Sequence, residues 1–220
     1  MSRCQEPKVA LKGKFVSFEG GDGAGKSTQI SLLSRSLTDI GISPVLTREP
    51  GGTRLSEEIR QWILHEPDAI DPVTEVLLIF AARAQHTVEV IVPALEDGRW
   101  VLCDRFTDAS YAYQGGGRGL PFEVIESLEA VATRGLRPDL TIFLDLSVEE
   151  GVRRSGGRGS SRDRFEAEEL EFKHRVRSTY QEFARKNPER IKSVDASESI
   201  EEVHAQVKSL MHHCLGVSID

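Results

Sequence analysis

Cysteine is scarce here and badly placed for either of its structural uses. The three in 220 residues, Cys4, Cys103 and Cys214, are odd in number and far apart. They fit neither a disulfide framework nor the paired spacing of a zinc site, and read as reduced thiols of a cytosolic protein. Basic charge is also short: 28 Lys and Arg against 35 Asp and Glu leave a net charge of -7. That argues against constitutive nucleic-acid binding, because neutralising phosphates takes a basic face. No uninterrupted apolar run approaches the roughly 20 residues of a membrane span. The opening MSRCQEPKVALKGK lacks the apolar centre of a signal peptide, and its charged, aperiodic character suggests a frayed end. These absences leave a soluble, cytoplasmic chain, with residues 1–220 forming a single domain.

What is present alternates between strand and helix. Apolar runs at FVSFE (15–19), PVLTRE (44–49), RWVLCD (99–104), DLTIFLDL (139–146) and RIKSVDA (190–196) read as five strands. Helical periodicity fills 26–40, 53–65, 72–95, 122–133 and 199–214, with Pro93 expected to kink or end the third of these. Strands separated by helices imply parallel pairing with right-handed crossovers, hence an α/β doubly wound sheet flanked by helices. DASYAYQGGGRG (108–119) reads as a polar loop before a flexible glycine run. GVRRSGGRGSSRDR (151–164), rich in Gly, Ser and Arg, reads as a short mobile loop.

One motif carries chemistry outright. Gly20-Gly21-Asp22-Gly23-Ala24-Gly25-Lys26-Ser27 fits G-x-x-x-x-G-K-[ST] between a strand and a helix, which makes the sheet one of the P-loop NTPase type. The glycines let backbone N–H groups converge on phosphate oxygens, and the helix N-terminus, with Thr28 behind it, adds its dipole. Lys26 is placed to reach the β- and γ-phosphates of ATP, and the Ser27 hydroxyl to ligate Mg²⁺. The only asparagine, Asn187, lies in KNPER. An Asn-Lys-x-Asp guanine reader is therefore missing, which disfavours a GTPase switch, and the short chain favours a small-molecule kinase.

The phosphate loop contains an acid, Asp22, and no arginine, so charge for a transferring phosphoryl group must come from elsewhere. Segment 151–164 holds five arginines against one acid, Asp163. It reads either as a solvated loop or as a lid whose Arg153, Arg158 or Arg164 reaches the transferred group. Asp104, ending a strand, is a water-mediated Mg²⁺ ligand or a salt-bridge partner, and Arg105 beside it suits a second phosphate. Arg48 is another phosphate-clamp candidate. Phe80 and Arg83 share a helical face and suit either a nucleobase or plain core packing. Ser110, Tyr113 and Gln114 are polar candidates facing a ligand.

FEGGDGAGKST, TREPGGT, FAARAQH, CDRF, AYQGGGRG and DLTIFLDL, in this order and spacing, resemble the bacterial thymidylate kinases from about Lys14 to Asp195. The resemblance implies transfer of the γ-phosphoryl of ATP to dTMP, giving dTDP for dTTP biosynthesis, with Mg²⁺, in a homodimer. It implies that Asp22 contacts the acceptor sugar's 3′-hydroxyl and orients arginines. It assigns Arg48 and Arg105 to the dTMP phosphate, Arg83 to the thymine, Ser110 and Gln114 to the base's surroundings, and Tyr113 to the underside of the sugar. The loop without arginine, with a basic lid, is similar to the bacterial arrangement. One departure stands out: many members place the base-stacking Phe where this chain has Ile79, one position before Phe80.

Overall fold

The computed structural model describes residues 13–66, 70–156, 164–165 and 168–219. Five strands, β1 (Phe15–Glu19), β2 (Val45–Arg48), β3 (Val101–Asp104), β4 (Leu140–Asp145) and β5 (Ile191–Asp195), form one parallel sheet in the order β2-β3-β1-β4-β5. The five strands read from the apolar runs are these five, each trimmed by a residue or two at its ends except β1. Central β1 is buried along its whole length, and β4 in all but its last residue. A strand covered on both faces needs that continuous apolar character. The chain runs from β1 out to β2, returns through β3, then crosses to β4. The crevice at the carboxyl ends of β1, β3 and β4 is thus a topological switch point, where open α/β sheets bind ligands.

Side chains alternate along β1. Val16 and Phe18 join Leu33 and Leu37 of α1 (Lys26–Asp39) and Val203, Val207 and Met211 of the C-terminal helix Ile200–Leu215. Phe15 faces the other layer, with Ile91, Leu95, Val101 and Phe106. On that side lie α2 (Arg54–His65) and a long rod made of α3 (Pro72–His86), a π-helical turn Thr87–Ile91 and α4 (Val92–Glu96). Asp71 caps the rod, its carboxylate accepting from Val73 N–H at 2.9 Å and Thr74 N–H at 3.2 Å. Pro93 neither kinks the rod to a stop nor ends it. The wider π turn just before it absorbs the missing donor, so the helix continues to Glu96. By length and composition the rod is apolar enough to cross a membrane, yet it carries Glu75, Arg83 and His86 buried among protein groups.

Three stretches depart from the sequence reading. Residues 107–117 are helical, α5 (Thr107–Ser110) running into a π-helical stretch Tyr111–Gly117. The glycines there are packing residues: a Cβ on Gly115 would lie 2.3 Å from the Phe122 ring and one on Gly117 2.5 Å from the Phe172 ring. After α6 (Phe122–Thr133), the start of the expected loop 151–164 is helical, inside α7 (Val148–Ser155). Helix α8 (Leu170–Lys186), which the sequence reading passed over, packs Phe172, Val176 and Tyr180 against Tyr113 and Phe143. The C-terminal helix is α9.

Candidate functional site

The phosphate loop sits where β1 ends and α1 begins. Gly23 has φ 79°, and a Cβ there would meet the Gly151 carbonyl oxygen at 2.4 Å, so the loop is wedged against α7. Lys26 is curled into the loop, its Nζ donating to the carbonyls of Gly20 (3.1 Å) and Gly21 (3.0 Å). Burial lowers the Lys26 pKa, and Arg105 adds to that against the pull of Asp104 and Asp22. Ser27 and Thr28 open α1 exposed. Ser27 Oγ donates to Asp104 Oδ2 at 3.3 Å, while the buried Asp104 Oδ1 has no hydrogen-bond partner among the described residues.

Arg105 ties the loop to the rest of the site. Its Nη2 donates to Asp22 Oδ1 at 2.8 Å and to the Tyr113 hydroxyl at 2.9 Å, and its guanidinium lies 5.1 Å from the Tyr113 ring centroid. Burial would raise the Asp22 carboxyl, but Arg105 and Lys26 hold it below the ordinary range. Arg105 itself adopts φ 70°, unusual for a residue with a Cβ. Its neighbours hold it there: Arg105 N–H donates to the Phe18 carbonyl at 2.9 Å, and Phe106 N–H to Glu19 Oε1 at 2.7 Å.

Glu19 is completely buried and also accepts from the Tyr180 hydroxyl at 2.8 Å. Burial, with Asp108 nearby, pushes its pKa up to about 8. Beneath it, Ser17 and Thr141 share a hydrogen bond at 2.8 Å, and Arg190 bonds Asp108 through both terminal nitrogens.

Two clefts meet at Asp22, Tyr113 and Phe165. One runs between α7 and α8, lined by Phe143, Leu146, Val152 and Phe172. The other, about 520 Å³ of open space, is bounded by Arg105, Ser110, Gln114, Arg83, Ile79 and Arg60. At its far end Arg83 is 2% exposed. It donates through Nε to Glu49 Oε2 (2.6 Å), through Nη1 to Ser110 Oγ (2.9 Å) and through Nη2 to the Phe106 carbonyl (3.0 Å). Burial would raise Glu49, but Arg83 and the His86 bond hold its carboxyl low.

Asp22, Arg83, Arg105, Ser110, Tyr113 and Gln114 thus share one cleft, Lys26 reaches it through the phosphate loop, and Ser27 and Asp104 line the outer side. Four expectations fare differently. Phe80 does not line the cleft. Roughly 100° per residue around the helix turns it toward Val76, Ile125 and Ala132, where its ring supports the Arg83 guanidinium at 4.5 Å, and Ile79 faces the cleft instead. Arg48 lies on the outer side with Ser27 and Asp104, paired to Glu57 at 2.8 Å. Arg164 is turned away from the phosphate loop, donating to Glu75 Oε2 and to the Ile63 carbonyl. Arg153 is exposed and bonded to Glu150 of its own helix at 2.6 and 2.7 Å, whereas Arg158 lies outside the described residues. Sequence reasoning missed Glu19, Glu49, Arg60, Glu75 and Phe165. Glu19, inside FEGGDGAGKST, and Glu49, inside TREPGGT, carried a signal.

A thymidylate kinase family profile matches residues 18–207. A thymidylate kinase from Alkalilimnicola ehrlichii is 51% identical over 193 residues, covering 87% of this chain and 89% of the relative. One from Pseudomonas syringae pv. syringae is 50% identical over 206 residues, covering 93% and 98%. The crystal structure of thymidylate kinase from Ehrlichia chaffeensis superposes with a TM-score of 0.75 at 33% identity, covering 91% of this chain and 98% of that one. The chain belongs to the thymidylate kinase family.

Proposed function

We propose that this chain is a dTMP kinase, transferring the γ-phosphoryl of ATP to dTMP and so supplying dTDP for dTTP biosynthesis. The observation that carries the reading is Arg105, which touches Asp22 of the phosphate loop and Tyr113 of the adjoining cleft at once. It stands at the seam between a donor site and an acceptor site, where an in-line transfer needs positive charge.

Each residue's work follows from its place. Loop N–H groups and Lys26 hold the ATP phosphates, Lys26 exchanging its carbonyl partners at Gly20 and Gly21 for phosphate oxygens. Arg105 holds the acceptor phosphate, whereas Arg48, paired to Glu57 on the outer side, lies apart from that cleft. Asp22 accepts from the sugar's 3′-hydroxyl and keeps Arg105 aimed. Tyr113, with Phe165 edge-on to its ring at 5.5 Å, bounds the sugar and leaves little room for a 2′-hydroxyl. Arg83, Ser110 and Gln114 bond the base, and Ile79 supplies its apolar wall. Arg153 is the remaining lid candidate for the transferred phosphoryl among the described residues, and Arg158, outside them, stays a candidate on its sequence alone.

The donor set suits Mg²⁺. A hydroxyl and a carboxylate with one oxygen unpartnered among the described residues, at Ser27 and Asp104, are hard oxygen donors. Among the described residues no group of three or more His, Cys, Asp or Glu could hold a metal. That fits an ion bound mainly by substrate phosphates and water. When bound, it neutralises charge on the phosphate oxygens.

The enzyme works in the cytoplasm as a single kinase unit and a homodimer. Exposed Val73, Leu77 and Val88 on the α3 rod and Val124 and Val131 on α6 offer the apolar face such pairing needs. Light scattering behind size exclusion tests the dimer.

The reaction is tested by following ADP release from Mg·ATP with dTMP, dUMP, AMP, CMP, thymidine or no acceptor. Turnover confined to dTMP, with dUMP a weak second, is expected. Equal turnover without any acceptor would instead make the chain an ATP hydrolase and remove the acceptor assignments.

A further inference from the structure

Glu75, in the first turn of α3, looks from sequence like a surface acid placed to favour a helix dipole. It is instead fully buried. Its Oε1 accepts from Gln114 Nε2 at 2.8 Å. Its Oε2 accepts from Arg164 Nη2 and lies 3.2 Å from Arg118 Nη2, and Arg118 Nε approaches both oxygens at 3.3 and 3.4 Å. A carboxylate flanked by two guanidiniums has only acceptors to offer. The atom that Gln114 turns toward it must therefore be the amide nitrogen. A flipped amide would set two oxygens against each other in a buried place. This fixes Gln114, a residue 2% exposed that lines the acceptor cleft, with its Oε1 as the atom left for a ligand.

Arg83 has the opposite character. Three of its five N–H groups are taken by Glu49, Ser110 and the Phe106 carbonyl, leaving two donors. The same cleft thus offers donors from Arg83 and an acceptor from Gln114. A base edge with a carbonyl beside a ring N–H, as in thymine or uracil, complements that pair. Cytosine, with an amino group beside an unprotonated ring nitrogen, presents the inverse.

We propose that Glu75 is a specificity-determining positioning residue: by holding the Gln114 amide in one orientation, it makes the site accept a lactam-edged pyrimidine and reject cytosine. The proposal rests on the reading that this cleft holds the acceptor's base. Glu75 touches no substrate and acts only through Gln114.

The geometry dictates a sharp test. In Glu75→Gln the two arginines claim the new amide's oxygen, so its NH₂ faces Gln114. Gln114 must then flip and present its own NH₂ to the cleft. The expected result is a fall in kcat/KM for dTMP and a rise for dCMP. Their ratio moves by roughly 10- to 100-fold, the range one mispaired buried polar group commands. An equal loss for both nucleotides would reduce Glu75 to a structural ion-pair partner and overturn the proposal. The swapped pair, Glu75→Gln with Gln114→Glu, keeps the buried charge and puts an acceptor-only group back at the cleft. It should return the preference to dTMP, and it carries the test if the single variant is too unstable to assay. Loss of the dTMP preference in the swapped pair counts against the proposal.

Gln114→Leu separates the two layers of the argument. A changed dTMP-to-dCMP ratio there, with none in Glu75→Gln, keeps the base assignment and sinks Glu75's role. An unchanged ratio in Gln114→Leu sinks the assignment of the base to this end of the cleft, and the proposal with it.

Discussion

The two ends of the site are built to different degrees. At the base end, Arg83 is 2% exposed and locked by a buried glutamate, a serine and a backbone carbonyl. At the donor end, the Arg153 side chain is 74% exposed and, among the described residues, bonded to Glu150 alone, one turn away on its own helix. A side chain held by three partners recognises a ligand with little further ordering, whereas one tethered to a surface carboxylate must be recruited. The base end is preorganised, and the donor end completes itself around the nucleotide. Lys26 sits between these extremes, buried but bonded to loop carbonyls that phosphate oxygens can replace.

The largest expected effect falls on that middle ground. Lys26→Ala should lower kcat on the order of 10³-fold, as loss of a principal charge-stabilising donor does. The circular dichroism spectrum should stay native. Near-normal turnover would take Lys26 out of the chemistry.

The comparison itself is broken or kept by a pair of arginine variants. Arg83→Met leaves Glu49 charged and buried without its cation, at a cost of about 3–5 kcal/mol in stability, so the melting temperature should drop by many degrees. Arg153→Ala should leave the melting temperature where it was and lower kcat with an unchanged KM for dTMP. If both variants melt alike, the base end is no more prebuilt than the lid.

That difference also explains what could be read from sequence. The phosphate loop, Asp104-Arg105 and the five strands announce themselves through local pattern: glycine spacing, or a short apolar run closed by a turn. Their chemistry needs only neighbours in the chain. Glu19, Glu49 and Glu75 are carboxylates whose partners come from 34 to 161 positions away, Arg83 for Glu49 at the near end and Tyr180 for Glu19 at the far end. Glu19 and Glu49 stand inside sequence motifs, but nothing local names their partners, and Glu75 has no local signal at all. Gly115–Gly117 misled in the same way, because glycine marks a flexible loop or a close approach equally well, and only the Phe122 and Phe172 rings decide between them. Helix α8 was legible in principle, since Phe172, Val176 and Tyr180 recur at helical spacing, but it lies beside a run whose composition reads as loop.

Two buried glutamates carry the contrast into pH dependence. Glu49 is held low by Arg83 and His86, so its contribution to stability is present above the ordinary carboxylate pKa and fades as pH falls. Glu19 is paired to no cation among the described residues, and burial, with Asp108 nearby, raises it from 4.5 to about 8. Between those values the folded chain holds a proton that the unfolded chain has released. Its contribution is therefore full below about pH 4.5 and lost progressively up to pH 8. Glu19→Gln mimics the protonated form, with an oxygen for Phe106 N–H and an NH₂ for the Tyr180 oxygen. Chemical denaturation from pH 5 to 8 should show a shallower decline in the variant than in the parent. Parallel curves would mean that Glu19 is ionised in the folded state.

The smallest effect sharpens the seam between the two ends. Tyr113→Phe removes one hydroxyl that accepts from Arg105 Nη2 and leaves the ring packed against Phe165 and Phe172. A single such hydrogen bond contributes about 1 kcal/mol, which corresponds to a several-fold rise in KM for dTMP, with KM for ATP unaffected. Tyr113→Ala also opens the space beneath the sugar, and should improve turnover of the ribonucleotide relative to dTMP. If Tyr113→Phe alone relaxes that ratio, the hydroxyl reads the sugar. If only the alanine variant does, the ring excludes the 2′-hydroxyl by bulk, and the hydroxyl serves to aim Arg105.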